Sequence, residues 1–186
     1  MARRQLTLSL SAGESIPTSL NWLIEDGYVT LASLNDEDSA TTLGLWGPGE
    51  RVIPSLLGNR SLQLQALSAV AIRECSPTPQ ERLQALEHQV DQLTKLLELS
   101  QLRRADERLF SLLLWLGQRF GQISLGGVSL SFQTMNLTHR NLAEITGMTR
   151  VTVTKALIRF RQDGRLRKHD DGEILLRQDS RKPNAD

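Results

Sequence analysis

The chain has 186 residues, 39% hydrophobic and 23% charged, a balance that fits a globular protein of one large or two small domains. Its formal net charge is +1, no apolar run reaches the length of a membrane span, and no signal-peptide core stands at the N-terminus, which disfavours membrane-embedded and secreted classes. The single cysteine, Cys75, excludes an intramolecular disulfide framework and fits a cytoplasmic location.

The first part of the chain reads as β-structure. Leu6-Thr7-Leu8-Ser9-Leu10 alternates strictly, and Trp22-Leu23-Ile24 and Tyr28-Val29-Thr30-Leu31 flank Glu25-Asp26-Gly27, a pattern that predicts a β-hairpin. A polar turn at Asn35-Asp36-Glu37-Asp38 precedes a strand over Thr42-Leu43-Gly44-Leu45-Trp46, which Gly47-Pro48-Gly49 ends. Strands resume between Leu62 and Cys75, where Leu62, Leu64 and Ala66 alternate with polar residues. Short strands punctuated in this way predict a small β-barrel or jelly roll over residues 1–76.

A long helix is expected over residues 77–104, with Thr78 as its cap and Pro79 in its first turn. Leu83, Leu86, Val90, Leu93 and Leu97 follow three- and four-residue steps, a coiled-coil seam of about two heptads that suits a homodimer. Leu96, Leu99 and Leu102 widen the stripe, so one side is available to the β-domain; burial within a single subunit is the alternative. Where this helix ends, Arg103-Arg104-Ala105-Asp106 forms an Arg-x-x-Asp. An arginine there can stack on guanine or pair with phosphate, and the carboxylate can accept from guanine N–H groups. A solvated hinge or an intrahelical charge pair is the alternative. Leu109-Phe110-Ser111-Leu112-Leu113-Leu114-Trp115-Leu116 then predicts the packing helix of a C-terminal domain over 105–186, and Gln122 to Phe132 a small sheet.

The segment Leu137–Lys168 carries the most information. Thr138 is an N-cap candidate, Leu142, Ala143 and Ile145 supply a buried stripe, and Gly147 stands where a left-handed turn is needed. Thr149 caps a second helix that runs to about Asp163. On it Val153, Ala156, Leu157 and Phe160 share one face, and Arg150, Val151, Thr154, Lys155 and Ile158 the other. That is a helix-turn-helix whose outward face suits the floor of a DNA major groove. Asp163-Gly164 stops the helix, and Arg165–Lys168, Asp170-Asp171-Gly172 and Glu173–Arg177 predict a hairpin wing. Residues 149–168 hold seven Lys/Arg and one Asp, so the charge is concentrated as a phosphate-binding face requires. Residues 1–136 hold 11 basic and 14 acidic side chains and residues 137–186 hold 11 and 7, which points to two different tasks.

Residues 137–177 resemble the C-terminal domain of the Crp/Fnr family of bacterial transcription regulators. Thr149-Arg150-Val151-Thr152-Val153-Thr154-Lys155 is especially similar to the cyanobacterial global nitrogen regulator branch. The resemblance implies an α+β chain: a cyclic-nucleotide-binding-like sensor, a dimerisation helix and a winged helix-turn-helix. It implies base reading through Arg150, Val151 and Lys155, with Thr154 extending that surface, and inverted GTA half-sites. Val151 stands where the Crp branch has a glutamate that reads cytosine. Lys155 replaces the usual arginine, a point charge in place of a bidentate fork. Leu23-Ile24…Gly27…Val29 and Leu45…Gly47-Pro48-Gly49-Glu50 are similar to the family's sensor, and Arg60-Ser61 aligns with its phosphate-binding Arg-Ser. Arg51–Asn59 has no acidic residue to accept from a ribose hydroxyl, so cyclic AMP is disfavoured and Arg60 reads as a loop arginine.

These readings converge on a homodimeric regulator on palindromic double-stranded DNA. Thr138, His139, Thr149, Thr152, Arg159 and Lys168 are candidate phosphate contacts. RNA polymerase is an expected partner and a membrane is not. No cofactor is fixed; a nucleotide second messenger, with cyclic di-GMP as candidate, would engage Arg60, Ser61, Arg103, Arg104 and Asp106. The alternative is a ligand- or partner-binding module whose winged helix contacts protein. An enzyme is not expected: no metal-ligand cluster, phosphate loop or nucleophile–base pairing stands in the sequence, and no iron–sulfur cysteine set exists.

Overall fold

Alternating strands bury one face each, and the turns between them decide which strands meet. The computed structural model describes residues 5–34, 40–58, 61–168 and 174–177. It divides into two compact units, residues 1–101 with 134–136 and residues 102–133 with 137–186.

The first unit contains β1 (Thr7–Leu10), β2 (Ser15–Ile16), β3 (Trp22–Asp26), β4 (Val29–Leu34), β5 (Ala40–Trp46), β6 (Arg51–Val52), β7 (Leu62–Ala66) and β8 (Val70–Glu74). They form two four-stranded sheets, ordered β1-β8-β3-β6 and β2-β7-β4-β5, antiparallel at each pairing. The sheets are jelly-roll-like and do not close into a barrel. Trp22, Ile24, Leu31, Trp46, Leu64 and Ile72 are among the side chains that fill the interior.

The hairpin expected at Glu25-Asp26-Gly27 does not form. β3 pairs with β8 and β6, whereas β4 pairs with β5 and β7. The Asp-Gly turn carries the chain from one sheet to the other. Gly27 has φ 79, and a Cβ there would lie 2.0 Å from the Ala69 carbonyl oxygen. The Asp-Gly signal reports a reversal, but strand partners are chosen by burial far away in sequence.

The long helix is α1 (Pro79–Gln101), which starts directly after the expected cap Thr78. Its start is a reciprocal capping box: the Glu81 N–H donates to Thr78 Oγ1 at 3.3 Å and the Thr78 N–H donates to Glu81 Oε2 at 2.8 Å. Two buried glutamines meet β5, the edge strand of its sheet. The Gln89 amide donates to the Leu43 carbonyl at 2.9 Å, and the Leu45 N–H donates to Gln92 Oε1 at 2.7 Å. They satisfy backbone groups that an open edge would present to other chains. Leu83, Leu86, Val90 and Leu97 are exposed, Leu93 is half-buried and Leu99 buried.

The second unit contains α2 (Ala105–Phe120), β9 (Gln122–Ser124), β10 (Gly127–Leu130), α3 (His139–Thr146), α4 (Arg150–Gln162), β11 (Leu166–Lys168) and β12 (Ile174–Leu176). Its sheet is ordered β11-β12-β10-β9. The apolar stripe of α2 is buried at Leu109, Phe110, Leu112, Leu113 and Leu116. Gly117 lets α2 approach the sheet, since a Cβ there would sit 2.4 Å from Val128 Cγ1.

Gly27 and Gly13 separate backbone strain from steric clash: both have positive φ, but nothing lies within 4 Å of a Cβ at Gly13. Gly27→Ala is expected to destabilise the chain by more than about 1 kcal/mol, and by clearly more than Gly13→Ala. Urea unfolding of both variants checks this.

Candidate nucleic-acid interface

Short polar residues fix where the two helices of the motif begin. Thr138 Oγ1 accepts from the Asn141 N–H at 3.1 Å, and Thr149 Oγ1 accepts from the Thr152 N–H at 3.1 Å. Between the helices Gly147 is left-handed at φ 65, and the Met148 N–H closes the end of α3 on the Ala143 carbonyl at 2.9 Å. Leu142, Ala143, Val153, Ala156, Leu157 and Phe160 are buried, and Ile145 is half-buried. Phe160 meets Phe110 of α2 edge-on, with centroids 5.3 Å apart. The Arg165 guanidinium lies over both rings, at 4.4 Å and 5.1 Å.

That seating turns Arg150, Val151, Lys155, Ile158 and Arg159 outward, all exposed, with Thr152 and Thr154 half-buried. Thr154 Oγ1 donates to the Arg150 carbonyl at 2.9 Å. Its one proton is thereby used, so His139 Nδ1, 2.8 Å away, must be the donor to it. His139 Nε2 is then the unprotonated nitrogen of the neutral ring. Partial burial, then the charges of Arg161 and Arg150, hold the His139 imidazole below its ordinary pKa.

Arg159 is partnered within its own unit: its guanidinium donates to Asp106 Oδ1 at the start of α2. Lys168 is exposed at the end of β11, opposite Ile174 in the β11–β12 register. The two wing strands pair as expected, while the turn Asp170-Asp171-Gly172 and His169 lie outside the described residues.

The effector candidates are divided between the two units. Arg60 lies outside the described residues, and Ser61 is exposed just before β7 in the first unit. In the second unit Arg103 is exposed, Arg104 pairs with Glu107 at 3.3 Å, and Asp106 is engaged by Arg159. Among the described residues no group of three or more His, Cys, Asp or Glu could hold a metal ion, and no helix is long and apolar enough to cross a membrane.

Sequence reasoning missed Arg108. Its guanidinium donates to the Leu102 carbonyl at 2.8 Å and to the Thr146 carbonyl at 3.3 Å, so it ties the start of the unit to the end of α3. It stands inside the charged run Asp106-Glu107-Arg108, and no periodicity marks it. Ile158 was visible on the outward face but carried no assigned role.

The lowered pKa of His139 has a definite sign. The unfolded chain takes up the proton first as pH falls, so stability from this site is full above the ordinary value of 6.5 and is lost on the way down to the folded value. Melting temperature against pH should therefore fall below that value in the native chain, with a shallower fall in His139→Asn. An imidazole titration midpoint above 6.5 by NMR would contradict this environment.

Residues 107–179 match the model of the Crp-like helix-turn-helix domain. The chain is 36% identical over 162 residues to the regulatory protein CysR of Synechococcus elongatus, covering 86% of this chain and 79% of CysR. It is similar in structure to TTHA1359, a CRP/FNR-family transcriptional regulator of Thermus thermophilus, with TM-score 0.67 and 25% identity over 93% of this chain and 94% of that one. It also shares its fold with CLP, the c-di-GMP responsive global regulator of Xanthomonas campestris, with TM-score 0.68 and 17% identity over 94% of each chain. The chain belongs to the Crp/Fnr family of transcription regulators, and α3 and α4 are its DNA-binding helix-turn-helix.

Proposed function

We propose that the chain acts as a homodimer on palindromic promoter sites of double-stranded DNA in the cytoplasm, with α4 of each copy in a major groove. The observation that carries this reading is the outward face of α4. Arg150 and Lys155 are exposed there, within a segment of seven Lys/Arg and one Asp, opposite a face that is wholly buried. Arg150 pairs with guanine, Val151 meets a thymine methyl, and Thr154 and Lys155 complete the reading surface of a GTA-type half-site. Thr138, Thr149, Thr152, Arg159 and Lys168 fix the register on phosphates, and His139, whose neutral ring has no free N–H, joins them by taking up a proton at Nε2. To act there, Arg159 exchanges the Asp106 carboxylate for a phosphate oxygen, an exchange of one anionic partner for another.

The division of labour is a sensor over 1–76, a dimerisation helix over 77–104 and a reader over 105–186. Dimerisation through Leu83, Leu86, Val90, Leu93 and Leu97 is supported by an apolar stripe with four of its five members exposed on α1. Two-fold symmetry of the protein then matches an inverted repeat. RNA polymerase is the partner through which a promoter-bound regulator acts. The effector is a ligand other than cyclic AMP, because Arg51–Asn59 supplies no acidic ribose acceptor. Cyclic di-GMP, to which CLP is described as responsive, is the candidate. At Arg103, Arg104 and Asp106 a guanine would compete with Arg159 for the carboxylate, which links ligand occupancy to a DNA-facing cation. Isothermal titration with cyclic di-GMP and cyclic AMP tests that assignment.

Two substitutions separate base reading from backbone binding. Arg150→Ala should cost about 1–3 kcal/mol per half-site and relax preference at one base. Lys168→Ala should weaken all sequences alike and reduce the salt slope by about one. Affinities measured across salt on matched and mismatched duplexes decide, and unchanged base preference in Arg150→Ala would sink this docking.

A further inference from the structure

We infer that Ile158 is a base-reading residue, and that with Val151 it accommodates two thymine 5-methyl groups about three base steps apart in each half-site. This rests on the proposed entry of α4 into the major groove. Val151 is 62% exposed and Ile158 46% exposed, the two large apolar side chains that α4 presents to solvent. The other large apolar residues of α4, Val153, Leu157 and Phe160, are buried. Ile158 stands seven positions after Val151, so the two fall on one stripe within about 20° and about 10.5 Å apart along the axis. That separation is about three steps of 3.4 Å along a DNA strand.

The residue between them sharpens the stripe. Thr154 has its hydroxyl committed to the Arg150 carbonyl and to His139, which leaves it no proton to offer a base edge. The groove-facing stripe is therefore apolar along its middle, with Arg150 and Lys155 exposed on either side of it. A helix-turn-helix reads bases first with the N-terminal residues of its second helix, and homeodomain helices that lie deeper along the groove read at positions spaced like 151, 154, 155 and 158. On the major-groove edges of the four bases the thymine methyl is the apolar group. A β-branched residue also has lower helix propensity than a long polar one, so solvation alone does not favour isoleucine at an exposed helix position. The local excess of cations holds this stripe against a polyanion rather than against an apolar protein surface.

The test uses the full chain and a duplex enriched on it from a randomised library. Each thymine is then replaced singly by deoxyuridine, which removes the 5-methyl group alone. Two positions per half-site, three steps apart, should each lose about fourfold in affinity, as expected for one buried methyl. Ile158→Ala should abolish the loss at one of them and leave the other, and Val151→Ala should do the converse. An enriched duplex whose deoxyuridine profile is the same for Ile158→Ala and the native chain would overturn the role of Ile158 while leaving groove docking intact. Failure to enrich any duplex would overturn the docking itself, and this inference with it.

Discussion

The seating of α4 constrains everything the second unit can do. Val153, Ala156, Leu157 and Phe160 are buried, and Phe160 is locked edge-on against Phe110 beneath the Arg165 guanidinium. Burying a large apolar side chain contributes about 1.5–3 kcal/mol, and a slip of one residue would rotate the helix by about 100°. Such a slip would move part of that stripe out of the core and bury Lys155 or Ile158 instead. The outward face is thus set by what lies beneath it, and the caps at Thr138 and Thr149 fix the position at which each helix starts.

Electrostatics acts on a platform already built. The cations of 149–168 stand in a chain of net charge +1, which makes the field local to the reading unit. Within that unit part of the charge is already matched, since Asp106 holds Arg159 and Glu144 holds Arg140. Arg108 works differently: it spans the Leu102 and Thr146 carbonyls and holds backbone in place. Several arginines of this unit therefore serve structure and charge balance, while Arg150 and Lys155 stay exposed.

The reading unit was legible in the sequence because its determinants are local. Helical period, two threonine caps and the glycine at 147 act within a few residues of where they stand, and the structure has them where the pattern required. The β-unit was legible as a class but not in its pairings. Glu25-Asp26-Gly27 announced a turn, but β3 finds its partner in β8, nearly fifty residues on. Gln89 and Gln92 were opaque for a related reason: each looks like a solvated helix residue until β5 supplies the backbone groups it meets. The ion pair of Asp106 with Arg159 likewise joins residues 53 apart, so the Arg-x-x-Asp pattern could not disclose that its carboxylate was engaged.

In the function proposed, two copies read two half-sites through α4 as one symmetric unit. Affinity of the full chain for duplexes carrying inverted half-sites, with the centre-to-centre spacing changed one base pair at a time, measures this directly. A sharp optimum is expected near one helical turn, about 10–10.5 base pairs, lost when Val90→Glu breaks the α1 stripe. Equal affinity at every spacing, or for an isolated half-site, would contradict it.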